Sequence, residues 1–248
     1  MKTSPYPFPA YIDCCPYEPL LPDYTPEEQL EAVLAKDEVM NLMGLRNYYF
    51  LCGDVPAVLE QLWVQEPEHR KTASLGSNFG FYIGWEEILR FVRETNEKMA
   101  FDLQCQSVNT PLIHVAFDRK TARGLWYSDG FVTDDRGNTD IIAQKVAVDF
   151  IREGDSWKIW HLVYGSDLVD ALHRDPLSQD YGMLGKLREW FGTPTVACVT
   201  HDPRYNWNDN YPAEPDPYET FRLSDSYAPE GCPRYRQHMR EVKRHEKK

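Results

Sequence analysis

The feature that most constrains the fold is a change of hydrophobic periodicity near residue 105. Before this point apolar residues recur at spacings of three and four, which is typical of amphipathic helices. After it, long segments of alternating apolar and polar residues are separated by turn sequences, which is typical of β-hairpins. Helices followed by strands predict an α+β fold, with the helices packed against one curved antiparallel sheet.

Three helices are predicted before the change. The first begins at Thr25, a suitable N-cap, with Pro26 in the first helical position and Glu28 completing a capping box. A short second helix follows Asp54, and a third covers the segment WEEILRFVRETNEKM. These boundaries rest on local signals that need no knowledge of the tertiary structure.

The 248 residues divide into three predicted parts. Residues 1–24 form an extended arm rich in Pro and Tyr, and residues 25–170 form the folded domain. Residues 171–248 are an irregular extension rich in Pro, Asp, Asn and Tyr. Free disordered tails are poor in aromatic residues, so we expect this extension to wrap over the domain or over a neighbouring subunit.

Composition narrows the class of ligand. A net charge of −12 disfavours nucleic acid, and no apolar run is long enough to span a membrane. The six Cys lack C-x-x-C spacing and indicate free thiols in a cytoplasmic protein. The 15 Tyr, 11 Phe and 7 Trp suit a pocket for a hydrophobic aromatic small molecule. Without a metal-ligand spacing or a nucleotide-binding loop, we expect no metal and no cofactor.

The segment DSWKIWHLVYG has the composition of a strand and contains a histidine. Strict alternation places Trp157, Ile159, His161 and Val163 on one side of the sheet. An imidazole on an apolar face suits a general acid or base. The alternative is a core histidine that is hydrogen-bonded to a carbonyl or a carboxylate.

Arg46 interrupts the apolar stripe of the first helix. Because an unpaired buried guanidinium is costly, Arg46 either pairs with a carboxylate such as Asp149 or Asp129, or binds an anionic group of the substrate. Tyr49 lies three residues later on the same side and either donates a proton to a developing oxygen or makes an ordinary buried hydrogen bond. We predict that His161, Arg46 and Tyr49 converge on one open cavity as the catalytic residues.

Six further residues are predicted to bind substrate: Tyr48, Asn78, Tyr82, Trp126, Gln144 and Lys145. Asn78 also fits a plain turn, and core packing explains Tyr82 and Trp126 equally well. Alternation places Lys145 on the side of its strand opposite Gln144, where it is solvated or ion-paired unless a bulge intervenes.

Several segments together resemble the SnoaL-like branch of the NTF2-like superfamily over about residues 27–168. They are RNYYFLCGD, GFYIGWEEILRFV, TPLIHVAFDRKTARGLW and VAVDFIREGDSWKIWHLVYG. The resemblance implies a conical barrel with a pocket between helices and sheet, and association into a dimer or trimer. Relatives of this kind include polyketide cyclases, ketosteroid isomerases, dehydratases, and binding or scaffolding proteins.

The spacing of DRKTARGLW, DFIREGDSWKIWH and EPDPYETF is most similar to bacterial lyases of aromatic compound catabolism, which release formaldehyde from lignin-derived diarylpropanes. The carboxylates of the ketosteroid isomerases are missing, since Ser77, Asn78 and Val148 stand at about those places. The expected function is therefore a cofactor-independent lyase or isomerase that uses acid–base catalysis. The alternative is a non-catalytic small-molecule-binding or assembly protein of the same fold.

Overall fold

A computed structural model describes residues 24–98, 103–134, 136–171, 188, 190–202 and 211–245. The helices are α1 (Pro26–Leu51), α2 (Val55–Ala57), α3 (Pro67–Thr72), α4 (Trp85–Lys98) and α5 (Pro233–His245), with a π-helical turn at Val58–Leu62 and 3₁₀ turns at Leu223–Asp225 and Pro229–Gly231. The strands are β1 (Ser74–Ser77), β2 (Gly80–Ile83), β3 (Leu103–Gln106), β4 (Asn109–Val115), β5 (Thr121–Thr133), β6 (Thr139–Glu153), β7 (Ser156–Ala171) and β8 (Val196–Ala197).

The strands form one curved sheet in the order β3-β5-β6-β7-β1-β2-β8, with β4 also paired to β5. The α+β prediction is confirmed, but the sheet is mixed rather than purely antiparallel, because β1 runs parallel to β7. The sheet is open and does not close into a barrel. The β1–β2 hairpin was missed because both strands are short and buried on both sides, so they show no alternation.

The capping box predicted at the start of the first helix is confirmed. The backbone N–H of Glu28 donates to the Thr25 hydroxyl over 3.2 Å, and the N–H of Thr25 donates to the Glu28 carboxylate over 3.0 Å. The third predicted helix is α4. Helix α3 was not predicted, because its six residues include no buried side chain and therefore no apolar stripe.

The two sides of the sheet are covered by different parts of the chain. On the side called here the helix face, Val146, Val148 and Leu162 pack with Val39 and Met43 of α1. On the other side, called the extension face, sheet residues pack with residues that follow the domain. This second cluster contains Phe81, Leu125, Ala147 and Val163 from the sheet, and Tyr211, Tyr227 and Cys232 from the extension.

The chain therefore covers the extension face with its own residues. A dimer or trimer, as the family resemblance implies, would cover an open sheet face, but Tyr211 and Tyr227 of the same chain already pack on this face. The homo-oligomer and the predicted boundaries of the three parts stay predictions, and the predicted arm at 1–24 lies outside the described residues except for Tyr24. Among the described helices, none combines the length and apolar composition needed to cross a bilayer.

Candidate active site

A buried carboxylate on β6 organises the extension face. Asp149 is fully buried, and its Oδ2 lies 3.0 Å from Nδ1 of His161. The same oxygen accepts a hydrogen bond of 2.7 Å from the backbone N–H of Tyr227 in the extension. Oδ1 lies 3.6 Å from Nε of Arg123 on β5. These partners offset the cost of burying the charge and connect two strands with the extension.

A β-bulge at Trp160 decides the direction of the His161 side chain. Asp149 pairs with His161 and Phe150 pairs with Ile159, so Trp160 has no opposing residue on β6. A bulge places successive side chains on one side of a strand. The rings of Trp160 and His161 accordingly stack with their centroids 4.4 Å apart.

The bulge overturns the predicted alternation along β7. Trp157 and Ile159 belong to the helix-face core, whereas Val163 packs in the cluster under the extension. His161 contacts Phe221 of the extension, with ring centroids 6.0 Å apart. The predicted grouping of Trp157, Ile159, His161 and Val163 on one side is therefore wrong, because strict alternation assumes an uninterrupted ladder.

The His161 imidazole has one nitrogen fixed and one without a partner. Nδ1 faces the Asp149 carboxylate, which favours the tautomer with the proton on Nδ1. Nε2 is buried and has no hydrogen-bond partner among the described residues. An imidazole in this state carries its lone pair on Nε2 and can accept a proton there.

Arg123 joins the carboxylate to the extension. Its side chain is buried, and its guanidinium carbon lies 4.1 Å from the centroid of the Tyr218 ring. One guanidinium N–H donates to the backbone carbonyl of Arg222 over 3.4 Å. The positive charge of Arg123 therefore already interacts with the Asp149 carboxylate and with the face of the Tyr218 ring.

A cavity of about 760 Å³ lies between the sheet and the extension. Its aromatic lining consists of Phe117, Tyr211, Tyr218 and Tyr227. Arg123 also lines it, whereas His161 does not, although Tyr227 and Arg123 both contact its partner Asp149. The imidazole thus lies one layer behind the cavity wall, next to Phe221.

The tyrosines of the lining are hydrogen-bond donors. Burial raises the pKa of Tyr211, Tyr218 and Tyr227, so all three hydroxyls stay protonated at neutral pH. Tyr227 donates to the carbonyl of Ala213 over 2.7 Å, and Tyr218 donates to the hydroxyl of Thr121 over 3.1 Å. The buried hydroxyl of Tyr211 has no partner among the described residues.

A second His–Asp contact lies on the same face. Nε2 of His201 is 2.7 Å from Oδ1 of Asp167, and the His201 side chain is buried. The position where a Cβ on Gly165 would stand is 3.6 Å from the His201 ring, so the imidazole covers this glycine. The pair fixes this part of the extension against β7.

The predicted catalytic residues do not converge. Arg46 is buried on the helix face, where its guanidinium donates to the hydroxyl of Tyr164 and lies 5.2 Å from the centroid of the Phe50 ring. Within the described part of the chain, no carboxylate forms an ion pair with Arg46. The hydroxyl of Tyr49 lies 3.4 Å from Oε1 of Gln61 on this same side. The predicted shared cavity is wrong, because the sheet separates these residues from His161.

The predicted substrate-binding residues are also dispersed. Tyr82 and Trp126 are core residues of the helix-face cluster, and Tyr48 is largely exposed on α1. Gln144 accepts a hydrogen bond of 3.3 Å from the Ser166 hydroxyl. Lys145 lies on the opposite side of β6 from Gln144, as predicted, but it is buried rather than solvated.

Asn78 connects β1 to β7. Its amide donates to the carbonyl of Ser166 over 2.9 Å, and its side-chain oxygen accepts from the N–H of Ser166 over 2.8 Å. The nitrogen and the oxygen of the Asn78 side-chain amide therefore both bond to the backbone in a buried position. This pairing favours a structural role over substrate binding.

Replacing Asn78 by Ala is expected to lower the free energy of unfolding by about 2–4 kcal/mol, because two buried backbone groups of Ser166 lose their partner. Urea denaturation measures this loss. The matched control is Asn109→Ala, which removes an amide that bonds only exposed groups and should change stability little. An equal effect of both substitutions would contradict the structural role.

Sequence reasoning missed Arg123, Tyr211 and Tyr227, and it considered Asp149 only as a partner of Arg46. A usable signal was present for two of them. Arg123 and Asp149 each interrupt an apolar strand, in TARGLW and VAVDFI, and such charges require a partner. The tyrosines gave no comparable signal, since the extension contains many aromatic residues.

Comparison with known proteins yields one family match. A sequence profile described as SnoaL-like domain matches residues 33–163, which is more than half of the chain. No curated protein matches the chain.

Several solved structures are similar at low identity. Hexachlorocyclohexane dehydrochlorinase LinA-type3 from Novosphingobium barchaimii LL02 is 13% identical, with 59% of this chain and 96% of that chain covered and a TM-score of 0.48. An NTF2-like superfamily protein from Salmonella enterica subsp. enterica serovar Typhimurium str. LT2 is 20% identical, with 54% and 92% covered and a TM-score of 0.46. An NTF2-like protein with a cystatin-like fold from Novosphingobium aromaticivorans DSM is 16% identical, with 61% and 91% covered and a TM-score of 0.46.

Proposed function

Because the chain belongs to the SnoaL-like domain family and has the NTF2-like α+β fold, we propose that it is a cofactor-independent lyase or isomerase. His161 acts as its general base and acid. The observation that carries this proposal is the His161 imidazole, with Nδ1 held by Asp149 and a buried Nε2 free to accept a proton. Arg46 and Tyr49 have no part in this chemistry, since they lie on the helix face.

The cavity supports a neutral aromatic ligand. Its volume is in the range that encloses a small organic molecule, and four aromatic rings line it. Two basic residues line the cavity, Arg123 and Arg222. Four acidic residues also line it: Glu214, Asp216, Glu219 and Asp225. With Arg123 already paired to Asp149, this excess of carboxylates disfavours an anionic substrate.

A diarylpropane-1,3-diol is the specific candidate, taken from the resemblance of the sequence to formaldehyde-releasing lyases. Nε2 of His161 takes the proton of the primary hydroxyl, and the bond between the carbinol carbon and the central carbon breaks to release formaldehyde. The electron pair forms the carbon–carbon double bond and expels the benzylic hydroxyl, which leaves as water with the proton from Nε2. The products are a stilbene, formaldehyde and water.

This chemistry requires the substrate to reach Nε2. Phe221 lies against the imidazole, and its chain neighbours Thr220 and Arg222 both line the cavity. We propose that a rotation of the Phe221 side chain exposes Nε2 to the cavity.

A non-catalytic binding protein is the alternative function. The observation that favours it is that His161 does not line the cavity, while Asp149 binds the backbone of the extension. In that case the buried network only holds the extension over a ligand pocket.

A product screen separates the two functions. Purified protein is incubated without added cofactor with neutral diarylpropane diols and polycyclic ketones, and products are identified by mass spectrometry. Formaldehyde released in equal amount to a stilbene supports the lyase, and an isomer of unchanged mass supports an isomerase. Ligand binding without any product supports the binding protein.

Tyr211→Phe tests the packing of the cavity wall. Because the Tyr211 hydroxyl is buried without a partner among the described residues, its removal should leave stability unchanged or raise it. Thermal unfolding measures this change. Tyr227→Phe is the control, since the Tyr227 hydroxyl donates to the carbonyl of Ala213 and its loss should lower stability.

A further inference from the structure

Ser74 on β1 is a buried serine whose hydroxyl has no hydrogen-bond partner among the described residues. Within the same part of the chain, Nε2 of the buried His161 also has none. A buried polar group without a partner costs free energy, so each such group requires an explanation. The register of the sheet places these two residues in neighbouring positions, so one explanation can serve both.

The Ser74 side chain lies on the same face of the sheet as His161. The two residues pair between β1 and β7, and paired residues of neighbouring strands point to one side. Two residues further along, Gly76 pairs with Val163, and a Cβ on Gly76 would lie 2.8 Å from the ring of Phe81. Phe81 and Val163 both belong to the cluster under the extension. Because strand residues two apart share a side, Ser74 also faces the extension.

His161 lies between a carboxylate and a hydroxyl. Strand β7 runs between β6 and β1, and His161 pairs with Asp149 on one side and with Ser74 on the other. Nδ1 faces the Asp149 carboxylate. The two nitrogens of an imidazole diverge within the ring plane, so Nε2 points away from β6, the side on which β1 lies. Carboxylate, imidazole and hydroxyl thus follow one another across three adjacent strands.

We infer that Asp149, His161 and Ser74 form a Ser–His–Asp triad in which Ser74 is the nucleophile. The hydrogen bond from Ser74 to Nε2 is not formed in the structure, and such bonds often tighten only when a substrate binds. The further activity is the hydrolysis of an ester. A neutral ester with an aromatic group is the substrate class, because aromatic rings and an excess of carboxylates line the neighbouring cavity.

The reaction follows from the roles of the three groups. Nε2 takes the hydroxyl proton while Oγ of Ser74 attacks the ester carbonyl carbon, and Asp149 stabilises the resulting imidazolium. The tetrahedral intermediate collapses to an acyl-serine, and the alcohol leaves with the proton from Nε2. Nε2 then deprotonates a water, which attacks the acyl carbon. Ser74 leaves with that proton, so one ester and one water give one acid and one alcohol.

Two half-buried aromatic rings cover the imidazole. The ring centroids of Trp160 and Phe221 lie 4.7 Å apart, and those of Trp160 and His161 lie 4.4 Å apart. Phe221 lies 6.0 Å from His161. Both covering side chains are partly exposed to solvent. Only one layer of side chains therefore separates His161 from solvent, and removal of Phe221 opens it.

Phenylmethanesulfonyl fluoride, a neutral aromatic reagent that sulfonylates activated serine hydroxyls with loss of fluoride, tests the triad. The full chain is incubated with the reagent, and peptide mass spectrometry locates the adduct. We expect the adduct on Ser74, while Ser77, another buried serine of β1, stays unmodified. His161→Asn should slow the reaction at Ser74 at least about 100-fold, and Phe221→Ala should accelerate it. His201→Gln, which replaces another buried imidazole of this face, should leave the rate unchanged.

Hydrolysis of 4-nitrophenyl acetate measures turnover. Ser74→Ala should lower it at least about 100-fold and keep the fold, because no described residue bonds to the Ser74 hydroxyl. Ser77→Ala is the matched control on the same strand and should retain the hydrolysis. Circular dichroism verifies the fold of each variant.

The inference is overturned if Ser74 stays unmodified both in the wild type and in Phe221→Ala, or if it reacts equally fast in the wild type and in His161→Asn. Either result would mean that Ser74 and His161 only pack together. The inference rests on the same basic imidazole as the proposed function, but its test needs no lyase substrate. A stilbene product without an adduct on Ser74 refutes the triad alone. An adduct without any lyase or isomerase product refutes the proposed function alone.

Discussion

Replacing His161 by Asn is expected to reduce turnover of the substrate by at least about 100-fold, the usual contribution of general acid–base catalysis. The amide of Asn can still donate to Asp149, so the network that holds the extension is largely kept. The lone pair of Nε2 is lost, and with it the only proposed proton acceptor. Steady-state kinetics with the substrate found in the screen measure kcat/KM.

His201→Gln is the control for this prediction. His201 is also a buried imidazole on the extension face that contacts a carboxylate, but it contacts Asp167 through Nε2, whose place the amide nitrogen of Gln takes. If the effect of His161→Asn came from damage to the extension face, His201→Gln should reduce turnover as strongly. A loss restricted to His161 supports its chemical role, whereas unchanged turnover in His161→Asn removes His161 from the mechanism.

Replacing Asp149 by Ala should lower the free energy of unfolding by about 3–5 kcal/mol. The substitution leaves the buried Arg123 without its carboxylate and removes the acceptor of both the Tyr227 N–H and His161. Urea denaturation gives the total effect. Hydrogen exchange at the Tyr227 amide reports the extension directly, and this amide should change from protected to rapidly exchanging.

Two further variants test whether this loss of stability comes from the charge of Asp149, from its hydrogen bonds, or from the loss of any carboxylate in this region. Asp149→Asn keeps an oxygen that can accept from Tyr227 but removes the charge that faces Arg123, so its loss of stability should be smaller than that of Asp149→Ala. Asp155→Ala removes an exposed carboxylate in the turn between β6 and β7 and should have little effect. Equal stability of Asp149→Ala and Asp155→Ala would contradict the structural role of Asp149.

Elements that depend on local sequence could be predicted. The capping box of α1 and the apolar stripe of α4 are determined by residues within one or two helical turns, and both are confirmed. The long hairpin of β6 and β7 was also evident from alternation around a turn. The parallel pairing of β1 with β7 was not evident, because it depends on residues about 88 positions apart in the chain, such as Asn78 and Ser166.

The candidate site could be predicted only in part. His161 was identified as a polar residue within an apolar strand, but the bulge that turns it to the extension face arises from its pairing with β6. The contact of Asp149 with Tyr227 joins residues 78 positions apart and depends on how the extension docks. No local pattern encodes that docking. The sequence therefore indicated the histidine but not the side of the sheet on which it lies.

The most direct test compares substitutions on the two faces of the sheet, with kcat/KM measured for folded His161→Asn and folded Arg46→Met on the same substrate. Arg46 lies on the helix face beside Tyr164, so its replacement should leave most of the turnover intact while His161→Asn abolishes it. The opposite result, with activity lost in Arg46→Met and retained in His161→Asn, would place the reaction between the helices and the sheet and contradict the site under the extension.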